Sequence, residues 1–137
     1  PIIFTAYQSV EDRREPIYHT NVMMCVAETF AVICLDAIDD KKEKKNVLKH
    51  LKEDGKHVID ISEKQMHRFA GNMLQVQGAN DELFLVMSKA AYDSLTQSQI
   101  SKINNHSKII YSSLETIETC GGGSARCMMA EVFLPIK

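Results

Sequence analysis

The 137-residue chain lacks the features that would place it in several large classes. It has no basic excess: 16 Lys and Arg stand against 18 Asp and Glu, a formal net charge of −2. Nothing in that balance supports a nucleic acid as partner. Its apolar runs are strand-sized, too short to span a membrane as a helix, and its first residues carry no signal-peptide pattern. Paired zinc-ligand spacing is also missing. Cys120 and Cys127 are too far apart for a zinc knuckle, and no histidine pair lies nearby. Neither a metal nor another cofactor is expected. Four cysteines spread over apolar strands and a glycine loop fit a reduced, cytoplasmic protein rather than a disulfide scaffold. The chain opens at Pro1 without a methionine, either as a mature start or as a piece of something longer.

What is present is ordinary for a globular protein: 45% hydrophobic and 25% charged residues, with a length that suits one domain, residues 1–137. The elements alternate between strands and helices, an α/β pattern. Residues 2–7 read as a strand, 11–16 as a polar turn, and 17–26 as a second strand paired with the first. On that second strand, alternation puts His19, Asn21, Met23 and Cys25 on one face. Phe30 to Leu35 is wholly apolar, as in a strand buried on both sides. Residues 39–54 read as a helix, acidic at its start, with Val47, Leu48 and Leu51 inward, its lysines in water and Gly55 at its end. Strands follow at 58–61, 72–76, 83–87 and 109–111. Ser62-x-x-Gln65, Thr96-x-x-Gln99 and Ser112-x-x-Glu115 each read as a capping box opening a helix. Residues 88–105 are helical with a break near Leu95.

The second part of the chain repeats. Residues 30–76 and 83–133 run strand, helix, strand, short helix, strand. Val58 to Ser62 matches Ile109 to Ser113 at a spacing of 51, and the spacing grows by four after the short helix, the length of Cys120 to Gly123. On that register Asn72 falls at the place of Cys127. A repeat near 50 residues suggests a circular array of modules. Two modules and a hairpin would not close it, which leaves open sheet edges.

The densest chemistry is Thr119-Cys120-Gly121-Gly122-Gly123-Ser124-Ala125-Arg126-Cys127-Met128. A triple glycine lets a ligand approach the main chain, and a thiol just beyond it, opening an apolar strand over 128–134, is placed like a nucleophile at a sheet rim. The plainer reading is a flexible turn followed by a small buried hydrophobe, which is how Cys25 and Cys34 read inside their apolar runs. Cys120 remains an alternative nucleophile. Far upstream, Tyr18-His19-Thr20-Asn21-Val22-Met23-Met24 interrupts an apolar strand with a histidine, the second ingredient of thiol catalysis. His50, His57, His67 and His106 read as surface residues.

These segments, with Phe69-Ala70-Gly71-Asn72-Met73-Leu74, resemble the guanidino-group modifying enzymes of pentein fold, five ββαβ-like modules around a pseudo-fivefold axis. That group includes arginine deiminase, agmatine deiminase, dimethylarginine hydrolase and the amidinotransferases. The chain is most similar to the bacterial branch of amidinotransferase, arginine deiminase-related and citrulline hydrolase-like proteins. The resemblance covers essentially the whole chain, as the C-terminal half of such an enzyme with about two and a half modules. It implies that Cys127 attacks the central carbon of a guanidino or ureido group while His19 serves as acid and base. It also implies that Asn21 orients the small-molecule substrate, that the loop with Gly122 and Gly123 offers backbone donors, and that Arg126 holds a substrate carboxylate. Asn72, at the cysteine's place in the repeat, is expected to satisfy buried backbone rather than touch substrate. Asn21 stands where many members have aspartate, and the carboxylates that bind the guanidinium belong to an N-terminal half absent from this chain. Two other readings therefore stand beside hydrolysis: a non-catalytic half-domain acting as an assembly module, self-association through open edges included, and amidino transfer to an amine.

Overall fold

The computed structural model describes residues 1–78 and 80–132. A hairpin, β1 (Tyr7–Val10) and β2 (Arg13–Pro16), turns at Glu11, whose φ is +52°. Residues 11–16 were expected as a turn and 2–7 as a strand. The strands instead lie further along, paired Tyr7 to Pro16 and Val10 to Arg13 about the Glu11 turn, where Arg14 is placed to reach the body. Arg14 forks between Glu63 and Asp39, at 2.9 and 2.6 Å, and also reaches the Asp36 carbonyl at 3.2 Å. The resulting ion-pair network ties the hairpin to the body through groups that remain partly in water, where each pair contributes about 1 kcal/mol or less.

The expected strand over 17–26 is also interrupted. Thr20–Val22 forms a 3-10 turn closed by Met23 N–H on the Thr20 carbonyl at 3.0 Å. Only β3 (Met24–Val26) remains extended, and it pairs with β4 (Phe30–Ile33) rather than with the first hairpin. The period-2 face is broken there: Met23 and Cys25 are buried while His19 is exposed. All four β4 residues are fully buried, as their uninterrupted apolar run demands.

Helix α1 (Lys41–Glu53) starts where Asp40 accepts from the N–H groups of Lys42 and Glu43 at 2.8 and 2.9 Å. It ends at Gly55, φ +72°, with Lys56 N–H on the Leu51 carbonyl and Gly55 N–H on that of Lys52, the paired bonds of a Schellman cap. The chain then returns as β5 (His57–Asp60), parallel to β4. Ser62 opens α2 (Glu63–Met66) with both bonds of its capping box.

A second sheet has the same connectivity. β6 (Leu74–Gln77) is antiparallel to β7 (Leu83–Ser88), and β7 is parallel to β8 (Lys108–Ser112). The crossover is α3 (Lys89–Ser94) and α4 (Gln97–Asn104), broken at Leu95 as expected, and Thr96 forms its capping box. In the first sheet Phe30 faces His57; in the second Phe84 faces Lys108. Met23, Phe30, Ile33, Ile59, Met73, Leu85, Met87 and Ile103 fill one core between the sheets and helices. No barrel closes among the described residues, and none of their helices is long and apolar enough to cross a membrane.

Two expectations near the C-terminus fail. α5 (Glu115–Gly121) begins after Leu114 with no side-chain cap, so Ser112 does not form a box; it is the last residue of β8 instead. Cys127 does not open a strand. It sits in a 3-10 turn, Ala125–Met128, held by Cys127 N–H on the Ser124 carbonyl at 3.0 Å, and residues 129–132 pair with no neighbour among the described residues. The remainder of the expected strand over 128–134, and the end of the repeat at 133, lie outside the described residues.

Candidate active site

The glycine run begins as a helix end. Gly121 closes α5, and Gly122 takes the left-handed conformation, φ +66°, that a glycine adopts without steric cost. The chain then turns back under its own helix. Ser124 is fully buried, and its hydroxyl donates to the Glu118 carboxylate at 2.6 Å. This anchor sets the following turn, which leaves Cys127 exposed at the rim of a cavity of about 420 Å³. A Cβ at Gly123 would lie 3.2 Å from Cys127 Sγ, so the loop packs directly on the thiol.

Gly122, Gly123 and Cys127 line one wall of that cavity, and Tyr18, His19 and Val22 line another. The 3-10 turn after His19 is what sets it there: the backbone at His19 is still extended, φ −158°, and turns immediately afterwards. The Tyr18 ring meets the His19 imidazole edge-on with centroids 4.4 Å apart, which restricts the ring's rotation. Gln8 of the hairpin and Met66, His67 and Phe69 complete much of the lining. His67 was read from sequence as a surface residue. It lies 3.8 Å from Glu63, whose carboxyl is held below its ordinary value: burial opposes this, but hydrogen bonds from Ser9 and the nearby Arg14 outweigh it.

Between these two walls the lining comes from Phe69 and Asn72 of the segment 69–73. Phe69 adopts φ +64°. Gly71 packs so closely on the His19 segment that a Cβ there would meet the Val22 carbonyl oxygen at 2.5 Å. Asn72, 4% exposed, donates from Nδ2 to the Asn21 carbonyl at 3.2 Å and accepts on Oδ1 from Arg126 N–H at 3.1 Å. Nδ2 also lies 3.2 Å from Cys127 Sγ. Asn72 thus bonds the backbone of both segments, and it also touches the thiol and lines the cavity.

The remaining sequence candidates sit differently. Asn21 contributes its carbonyl to Asn72, and its side chain is not part of the lining. Arg126 turns away, its guanidinium reaching the Met73 carbonyl at 3.4 Å. Cys120 is exposed on α5 and does not line the cavity. Cys25 and Cys34 are buried in the core, and burial pushes each thiol up to about 11, so both remain protonated and unreactive near neutrality. Gln8 was missed because nothing local marks it and only the hairpin brings it in; Tyr18 belongs to the segment singled out with His19 but was given no part of its own. Among the described residues, none of those lining the cavity is acidic.

The sequence matches the family described as N,N dimethylarginine dimethylhydrolase, eukaryotic, over residues 1–134. None of the curated proteins matches it. Among solved structures it is similar to AgrE in a ternary complex with ornithine and NAD+, with TM-score 0.63 and 22% identity over 96% of this chain and 17% of that one. It is also similar to apo ArgZ, an arginine dihydrolase from the ornithine-ammonia cycle in cyanobacteria, with TM-score 0.58 and 17% identity over 80% of this chain and 15% of that one. The N-terminal domain of ArgZ bound to product gives TM-score 0.56 and 17% identity over 80% of this chain and 36% of that one. At such identities the likeness establishes the fold, and the chain spans only 15% to 36% of the length of these solved relatives. A family match running over residues 1–134, on a fold these enzymes share, makes the chain a member of the N,N dimethylarginine dimethylhydrolase family, among the guanidino-group modifying enzymes of pentein fold.

Proposed function

We propose that these residues form part of the active site of an enzyme that hydrolyses a guanidino C–N bond of an arginine-like substrate. The observation that carries the reading is the convergence of Cys127, His19 and the glycine loop on one cavity. In this reading Cys127 thiolate adds to the guanidinium carbon and forms an S–C bond. The C–N bond to the departing amine breaks, and His19 as imidazolium gives that amine its proton. Water then adds to the same carbon, losing a proton to His19. The S–C bond breaks and the thiolate leaves a ureido product. Backbone N–H groups around Gly122 and Gly123 are suited to the tetrahedral intermediate. Amidino transfer follows the same first half, with an amine in place of water.

A guanidinium is a planar cation that a pair of carboxylates recognises well. Because the lining holds no acidic residue among the described ones, we place those carboxylates outside residues 1–132. They belong to the missing N-terminal half of a longer cytoplasmic protein or to a second copy of the chain. Residues 1–137 would then be one unit, about two and a half modules of a pentein propeller, with the shared connectivity of the two three-stranded sheets as support. The same absence of carboxylates favours a second reading, in which the chain alone is a non-catalytic assembly module.

The deciding experiment measures ammonia or amine release from arginine, N,N-dimethylarginine, citrulline and agmatine, together with the ureido product from the three guanidino compounds. It uses the chain alone and the longest reading frame that contains it, each beside Cys127→Ser. Release that disappears in Cys127→Ser, with an acid-trapped adduct on the Cys127 peptide, is expected from the longer protein. Turnover that survives Cys127→Ser would overturn the nucleophile. His19→Ala is expected to lower the rate by about 100-fold or more.

A further inference from the structure

One buried side chain joins both catalytic segments. Asn72 lies between them in sequence and bonds to each: to the Asn21 carbonyl, two residues from His19, and to the N–H of Arg126, beside Cys127. These two backbone groups have opposite polarity, and together they dictate which way the amide faces. A flipped amide would set oxygen against the Asn21 carbonyl and NH2 against the Arg126 N–H. In the orientation so fixed, Nδ2 uses one hydrogen on Asn21 and has a second for Cys127 Sγ, 3.2 Å away. Oδ1 lies 3.6 Å from the same sulfur. The amide can accept from an S–H or donate to S⁻, and the closer atom is the donor. A hydrogen bond to the charged form of a group favours that form.

We propose that Asn72 is a positioning residue for the nucleophile: its amide donates to Cys127 Sγ, holds the thiolate aimed into the cavity, and locks the Cys127 turn to the His19 segment. The proposal rests on the reading of Cys127 as nucleophile, and its test reads thiol reactivity rather than turnover.

Iodoacetamide alkylation of the chain, followed peptide by peptide by mass spectrometry, gives a rate for Cys127 and for Cys120 at about pH 7 and about pH 10, either side of the range where a free thiol ionises. The ratio of the two rates cancels accessibility. Cys120, also exposed, is the internal control. In the parent chain the pH 7 to pH 10 ratio is expected to be larger for Cys127 than for Cys120. In Asn72→Asp, which keeps an oxygen for Arg126 N–H but sets a carboxylate oxygen against the sulfur, the Cys127 ratio is expected to fall about tenfold or more, with Cys120 unchanged, as expected for a lost charge-assisted bond. A folded Asn72→Asp chain with an unchanged Cys127 ratio overturns the proposal. Should circular dichroism show that this variant does not fold, the parent comparison decides, and a Cys127 ratio no larger than that of Cys120 overturns it. Failure of the nucleophile reading would appear separately, as turnover surviving in Cys127→Ser.

Discussion

The side chains of Gln65 and Gln99 hydrogen-bond to each other, Gln65 Nε2 donating to Gln99 Oε1 at 2.7 Å. Each is the closing residue of a capping box, one at the start of α2 and one at the start of α4. Gln99 Nε2 also donates to the Asp60 carbonyl at 2.8 Å and Gln65 Nε2 to the Ser94 carbonyl at 2.7 Å. Two local helix signals thus face one another and fasten the first βαβ unit to the second. Gln65→Ala and Gln99→Ala are each expected to lower stability by about 1–2 kcal/mol. Because the residues share partners, the double variant should lose less than the sum by about 0.5 kcal/mol or more. Urea unfolding of the four proteins measures this, and strict additivity would remove the bridge from the account.

Gly71→Ala tests the wall of the cavity. An added Cβ would meet backbone atoms of Val22 and Met23 at 2.5 to 3.0 Å, and backbone cannot move aside as a flexible side chain can. A stability loss of about 2 kcal/mol or more is expected, at the upper part of the usual overpacking range. Cys127 alkylation should change as well, because Asn72 follows directly. An unchanged urea midpoint would mean that the two segments are not in contact.

The glycine run separates into two roles. Gly122→Ala forces an L side chain to φ +66° with open space around it, so its cost is conformational, about 1 kcal/mol, with modest effect on the thiol. Gly123→Ala has no such φ, but its Cβ would press on Cys127 at 3.1 to 3.2 Å. Its expected signature is the reverse: a small change in urea midpoint with alkylation of Cys127 slowed several-fold or more, as a methyl group crowds the sulfur. The same phenotype from both variants would contradict this division.

Thiol counting checks the burial of Cys25 and Cys34. With an aromatic disulfide reagent at about pH 8, Cys120 and Cys127 should react in the native protein, and Cys25 and Cys34 only after unfolding. The same two buried thiols predict alkaline sensitivity. Burial raises each from the ordinary value of 9.0 to about 11. Across that window the unfolded chain has lost the proton that the folded chain keeps, so unfolding releases protons and stability falls as pH rises. The contribution is fully present below 9.0 and is lost as pH rises through about 11. A urea midpoint that does not fall between about pH 8 and pH 10.5 would argue against protonated buried thiols.

By itself the sequence determined the local rules. The apolar run at Phe30 to Ile33 could only be an interior strand. Asp40 and Gly55 bounded α1, and two of the three expected capping boxes form as read, because each needs only a hydroxyl and an amide three residues apart. The triple glycine, Cys127 and His19 stood out because their residue types are costly or reactive wherever they occur. Tertiary structure decided where packing and long-range bonds override local preference. The apolar alternation around His19 gave way to a 3-10 turn under the close approach of Gly71. The residues before Cys127 folded into a turn held by Ser124, which anchors on Glu118. Arg126 was drawn to the Met73 carbonyl rather than into the cavity. Asn72 came to lie against Cys127 although 55 residues separate them, because the packing of the two sheets brings the segments before β6 and after α5 together, and no local pattern encodes that meeting.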